Sequence, residues 1–244
     1  MSRCIDNKNL EILVQQCLDE FYRRRIEKLD GLKLKDALKR KNPYLFRAIG
    51  MAEASEIVEQ LLAAYMSSSD EGIFGDAFFE PVAKHVSAGK VSPSEGVDIA
   101  IETSASYTAI AVKSGPSVFN AQSKRRQNDE FMAVRSRLLK LHKRFEAVVG
   151  YCYGCKVSRT SSSRIFIELA GQTFWQKLTG DSEFYLRLMA AMKDAPLRHK
   201  AKFQESWSNA VNRFTRDFTC EFCCPDGAID WEKLVTFNSG CKDS

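Results

Sequence analysis

A chain of 244 residues and 27.6 kDa is long enough to bury one substantial core. Its 44% hydrophobic and 27% charged residues are ordinary for a soluble globular protein, and no long uncharged apolar run is present to span a membrane. The opening MSRCIDNKNLE has no apolar core of a secretory signal, so a cytosolic location is the expectation. The net charge of +5 is unevenly spread. Tyr22 to Arg47 holds ten Lys or Arg against three acids, Ser117 to Arg144 holds eight against two, and Asp217 to Ser244 is acidic. Basic segments of this kind suit a polyanion, because Lys and Arg contacts to phosphates drive nucleic-acid affinity through counterion release.

Taken in chain order, Leu10 to Lys28 reads as an amphipathic helix with Leu13, Cys17 and Phe21 on one side. A short basic helix and a turn at Pro43 follow. Ala52 to Met66 is a strong helix whose buried stripe is Ile57, Leu61, Ala64 and Tyr65, and its acids Glu53, Glu56 and Glu59 recur every third residue. A second helix covers part of Ile73 to Val86, with Pro81 at its start or at a kink. Asp129 to Phe145 reads as a helix with Phe131, Val134, Leu138 and Leu141 inward. Ala147 to Tyr153 and Arg164 to Leu169 read as strands separated by the Ser-rich loop Ser158 to Ser163. Thr173 to Leu178, Ser182 to Met192 and Phe203 to Cys223 read as helices. Helices, then a group of strands, then helices predict an α/β domain over residues 1–244, a central mixed sheet flanked by helices, with helical elaborations at both ends.

The most informative segment is Glu95 to Pro116, EGVDIAIETSASYTAIAVKSGP. It reads as two short strands joined by the polar turn Thr103 to Ser106. Alternation puts Val97, Ile99 and Ile101 on one face of the first strand and Asp98, Ala100 and Glu102 on the other. In the second, Thr108, Ile110 and Val112 share a face opposite Tyr107, Ala109, Ala111 and Lys113. A turn centred between Ser104 and Ala105 pairs Glu102 with Tyr107 and Asp98 with Ala111, and sets Lys113 one step beyond Asp98. Glu102 is roughly 13 Å along the strand from Asp98, too far to share a metal with it. An acid and a lysine so placed suit metal-dependent phosphodiester hydrolysis; the competing reading is an amphipathic hairpin with solvated charges.

Cys152 and Cys155 form CYGC, and Cys220 and Cys223 form CEFC with Cys224 adjacent. Two CxxC pairs can supply four thiolates to zinc, but 64 residues separate them and neither has the Gly-rich knuckle surroundings of a zinc ribbon. Reduced thiols packed as small hydrophobes are the simpler reading. His85, His142 and His199 are isolated from one another and read as structural or surface residues.

Several blocks resemble a known family: LKLKDALKRKNPYLFRA (Leu32 to Ala48), SSSDEGIFGDAFFEP (Ser67 to Pro81), EGVDIAIE (Glu95 to Glu102) and AVKSGPSVFN (Ala111 to Asn120). The likeness resumes in FTRDF (Phe214 to Phe218) and DGAIDWEKLVTFNSG (Asp226 to Gly240). In these blocks the chain resembles type II restriction endonucleases of the PmeII-like group, within the PD-(D/E)XK nuclease fold. The resemblance implies cleavage of double-stranded DNA with Mg²⁺, a homodimer, and a companion DNA methyltransferase acting on the same site. It makes Asp98 the metal-binding aspartate and Lys113 the lysine that positions or activates the attacking water.

Ala111 stands where the general fold pattern has a second acid. Either a helix glutamate completes the site, Glu80 or Glu56 ahead of Glu59, or the chain is a catalytically degenerate DNA-binding protein, with zinc at the CxxC pairs as one means of stabilising it. Asp76 is placed to cap or orient the helix that carries Glu80. Ser114 and Gly115 form a turn at which backbone amides can approach a phosphate. Asn120, Gln122 and Ser123, on the loop after it, are candidate DNA contacts, and Lys124, Arg125 and Arg126 suit phosphates better than bases.

Overall fold

The computed structural model describes residues 5–87, 89–91, 94–118, 120–138, 143–158 and 164–240. His142 and the Ser-rich loop after Ser158 lie outside them. Contacts divide the chain into two compact units, residues 1–21 with 72–196 and residues 22–71 with 197–244.

The first unit is built on a six-stranded mixed sheet in the order β1-β2-β3-β4-β6-β5. The strands are β1 (Lys90–Val91), β2 (Ile99–Glu102), β3 (Ser106–Lys113), β4 (Arg144–Tyr151), β5 (Val157–Ser158) and β6 (Phe166–Ala170). The β1, β2 and β3 strands pair antiparallel, β3, β4 and β6 run parallel, and β5 closes the far edge antiparallel to β6. Central strands buried on both faces need apolar side chains at successive positions, and Ala109 to Val112 and Ala147 to Val149 are buried in this way.

One face carries Ala109, Ala111, Val149 and Tyr151 against Phe131 and Val134 of α6 (Ala121–Leu138). The other carries Ile99, Ile110, Val112 and Val148. It packs against the start of α1 (Asn7–Asp30), α5 (Glu80–Val86), α7 (Gln172–Thr179) and α8 (Phe184–Ala190) through Leu10, Val14, Val82, Phe174, Trp175 and Phe184. Gly150 has no side chain because Phe174 fills its place: a Cβ there would lie 2.0 Å from the ring. The expected central mixed sheet flanked by helices is present.

Several boundaries differ from the sequence expectation, among them the end of the helix expected to stop at Met66, which runs on to Phe74. The helix expected from Asp129 begins eight residues earlier, at Ala121, because the Asn120 side chain accepts from Ser123 N at 2.9 Å and caps it. Arg144 and Phe145, expected in that helix, belong to β4, whose parallel pairing with β3 already starts at Ser106–Arg144. The last long helix, α9 (Ala195–Phe222), starts ahead of Phe203.

The helix α4 (Ala54–Phe74) runs directly into a π-helical turn, Gly75–Phe79, and then α5. The N–H of Glu80 reaches back to the carbonyl of Gly75, five residues earlier. Pro81 follows immediately, with no N–H to continue the ladder. π-Turns inside helices recur at functional sites.

The second unit is helical: α2 (Leu34–Leu38), α3 (Pro43–Ala48), α10 (Trp231–Ser239) and parts of α1, α4 and α9. Its core joins Leu29, Phe46, Ile57, Leu61, Phe214, Phe218, Phe222 and Leu234. Asn42 caps α3, accepting from Tyr44 N at 3.0 Å, and Asp230 caps α10 through Lys233 N at 2.9 Å. Among the described residues no helix is long and apolar enough to cross a membrane.

Candidate active site

The β2–β3 hairpin forms in the expected register, with Glu102 opposite Tyr107 and Ile99 opposite Ile110. Thr103 shapes its turn: its hydroxyl oxygen accepts from Ser106 N at 2.9 Å and Ala105 N at 3.2 Å. The expected pairing of Asp98 with Ala111 does not follow, because the ladder ends at Ile99. The Asp98 N–H instead donates to the Ile110 carbonyl at 2.9 Å, and its Oδ2 accepts from Val112 N at 2.7 Å.

A side-chain oxygen thus takes the N–H that a neighbouring main chain would have bonded, and the alternation breaks there. Ile99 and Ile101 belong to the α5 and α7 side of the sheet, while Val97 joins Ala109 and Ala111 on the α6 side. The predicted common face of Val97, Ile99 and Ile101 is therefore split at Asp98. The turn before it holds Gly96 at φ +73°, a conformation that favours glycine, and buried Gln127 donates to the Gly96 carbonyl at 2.6 Å.

Asp98 is half-buried, and burial pushes its carboxyl above the ordinary aspartate range. The Val112 N–H and Lys113 pull it down, Glu80 pushes it up and Lys84 pulls it down. Lys113, Glu80 and Lys84 thus all act electrostatically on Asp98. Glu80 opens α5 and is paired with Lys84 one turn on. It comes near because Gly75, in the π-turn, lets that backbone approach β3: a Cβ on Gly75 would lie 2.3 Å from Ser114 Oγ. Glu80 also acts on Cys152, whose buried thiol is pushed up chiefly by desolvation and whose N–H donates to the Lys113 carbonyl at 2.9 Å.

The position of Ala111 is not a vacancy awaiting an acid. Its side chain is 0% exposed, in the apolar cluster of Phe131 and Val149 on the α6 face. Glu80 belongs to a helix packed through Val82 and Ala83 on the opposite face, so it approaches Asp98 rather than replacing a side chain at residue 111. Glu56, in the second unit, accepts from Ala52 N at 3.0 Å and Glu53 N at 3.2 Å, the reciprocal half of a helix cap. Asp76 lies within the π-turn.

The candidate DNA contacts fall differently from expectation. Gly115 is buried under Tyr153, whose ring carbon would lie 2.3 Å from a Cβ at Gly115, so the close approach there serves that ring. Ser114 is half-buried. Asn120 is the α6 cap, and Gln122, Ser123, Lys124, Arg125 and Arg126 form the first turns of that helix rather than a loop. Gln122 and Arg125 are exposed. Arg126 pairs with Glu95 at 2.9 Å and Glu130 at 2.8 Å.

Lys124 pairs with Glu168, a residue the sequence reading passed over. Glu168 is 1% exposed on β6, and Oε1 accepts from Tyr151 Oη at 2.7 Å. The same oxygen faces Lys124 at 3.0 Å and Lys156 at 2.9 Å, while Oε2 faces Arg164 at 2.7 Å and Ser158 at 3.1 Å. Burial alone would raise this carboxyl, but the bonds from Tyr151, Lys156 and Lys124 hold it down at about 2. A glutamate inside the apolar run RIFIEL was the one available signal. Lys84 was missed too, though it stands four residues after Glu80.

The four cysteines of the CxxC pairs are free thiols, and the two pairs belong to different units. Among the described residues no group of three or more His, Cys, Asp or Glu is placed to hold a metal. No curated protein matches the sequence at a significant level. The sequence profile of the family described as Type II restriction endonuclease EcoO109I matches residues 8–205, which include the whole sheet and Glu80, Asp98 and Lys113. That match names the EcoO109I family and not the PmeII-like group. Because it spans most of the chain, the protein belongs to the type II restriction endonuclease EcoO109I family.

Proposed function

We propose that the protein is a Mg²⁺-dependent, site-specific endonuclease that hydrolyses phosphodiester bonds of double-stranded DNA. The observation that carries this reading is the Asp98 carboxylate, held by Val112 N–H at 2.7 Å and within electrostatic reach of Glu80, Lys84 and Lys113. Asp98 and Glu80 are hard oxygen donors, and burial leaves the Asp98 anion under-compensated, so the pair fits a cation. Asp98 and Glu80 would hold Mg²⁺, for which one or two protein carboxylates are the usual provision. Bound there, Mg²⁺ supplies charge neutralisation at the scissile phosphate and lowers the pKa of a coordinated water. Val112 N–H fixes the Asp98 carboxylate, and Lys84 pairs with the Glu80 carboxylate. Lys113 orients the attacking water and stabilises charge that develops on the phosphate. We take the PmeII-like resemblance, homodimerisation, a cytosolic location and a companion methyltransferase as parts of the same reading.

Plasmid cleavage with Mg²⁺ tests it. Lys113→Ala and Asp98→Ala should each lose at least about 100-fold in rate, the scale for removing one preorganised electrostatic group. Cutting at the wild-type rate by both variants would refute the assignment.

The buried charge of Asp98 carries a second expectation. A carboxyl whose folded pKa is raised opposes folding when ionised, fully so above that pKa and not at all below its unfolded value of 3.8. In EDTA near pH 7, Asp98→Asn should therefore melt higher than wild type, with the gap closing on acidification. Asparagine keeps an oxygen for Val112 N–H. A variant that melts lower at neutral pH contradicts the charge argument.

A further inference from the structure

Lys124, Lys156 and Arg164 all turn their charged ends to one buried carboxylate, that of Glu168. A structural ion pair needs one cation. Three cations on one carboxylate gather positive charge in a small space, and a further anion beside them would be attracted there. Glu168 cannot supply more: Tyr151, Ser158 and the three cations already occupy both its oxygens. The two ammonium groups each spend a donor on Glu168, and each has three.

The three cationic side chains are not sealed in. They keep 28%, 31% and 25% of their side-chain surface exposed, while Glu168 keeps 1%. The carboxylate is thus a buried anchor, and the cationic side chains around it stay partly open to solvent, although the Arg164 Nε is itself buried. They come from three segments: the first turn of α6, the loop before β5, and the residue bridging into β6. Such convergence fixes their positions far better than three separate surface side chains, whose rotamer freedom would have to be lost on binding.

We infer that Lys124, Lys156 and Arg164, held by Glu168, form a binding site for a backbone phosphodiester of duplex DNA. This site uses none of Asp98, Glu80 and Lys113, and it rests on the proposed action on DNA. Its role is to position the duplex, since phosphate contacts fix register without reading sequence.

The test is fluorescence anisotropy of a labelled duplex over a series of KCl concentrations, with Ca²⁺ replacing Mg²⁺ so that the strands stay intact. The double variant Lys124→Gln/Lys156→Gln leaves Arg164 on Glu168 and should stay folded, which its melting curve checks. It should bind more weakly, and the slope of log K against log[salt] should become shallower by about 0.9, the loss of one phosphate contact. Lys177→Gln, which removes a lysine paired with Glu146 instead, should leave the slope unchanged. A double variant with the wild-type slope, or a control with the same loss, overturns the site while the nuclease reading stands. Wild-type protein that binds no duplex overturns both.

Discussion

Glu168→Ala should destabilise the protein by about 3–5 kcal/mol, the cost of removing one member of a buried charge network and leaving the others unmatched. The carboxylate is almost wholly buried and meets three cations, a tyrosine hydroxyl and a serine hydroxyl. Without it, Lys124, Lys156 and Arg164 face one another, and Tyr151 Oη loses a buried acceptor at 2.7 Å. The pH dependence follows from the carboxyl's depressed pKa. Its stabilisation is complete above the unfolded value of 4.5 and is lost as pH falls through about 2. Urea denaturation of wild type and Glu168→Gln should therefore differ most near neutral pH and converge toward pH 2. Equal midpoints at pH 7 would mean that the network adds nothing to stability.

Glu80→Gln should reduce cleavage by at least about 100-fold while leaving duplex affinity within a factor of a few. Even an outer-shell partner of a metal ligand costs 10–100-fold when removed, and Glu80 is proposed as a direct one. Glutamine preserves size and hydrogen bonding but removes the charge that both Asp98 and Lys84 feel. Glu56→Gln is the informative comparison. It should keep its cutting rate and lose at most about 1 kcal/mol of stability, because its carboxylate serves the backbone at the start of α4. Reversal of the two phenotypes would transfer the catalytic role to Glu56.

How much of this was readable beforehand depends on the range of the interactions. The hairpin register was legible because it follows from alternation and a short polar turn, both local. The face switch at Asp98 was not, since it comes from one side chain bonding the backbone of Val112 across the hairpin. Asn120 looked like loop because its capping role shows only once Ser123 N turns toward it. The alanine at 111 could be recognised as a departure from an acid. That Phe131 and Val149 enclose it depends on a helix and a strand far along the chain. Glu168 was hidden for the same reason: its partners come from α6, β4, β5 and two loop positions.

The π-turn at Gly75–Phe79 has a consequence of another kind. A helical turn closed over five residues holds one more than an α-turn, and one residue is worth about 100° of rotation. The direction in which Glu80 leaves the helix is thus set by a residue count as well as by residue types. Substitutions within GDAFF can keep that count, whereas a single deletion that restored regular winding would swing the carboxylate by more than a quarter turn from Asp98. Length, in this short stretch, is itself part of the geometry: the extra residue is the device that aims the acid.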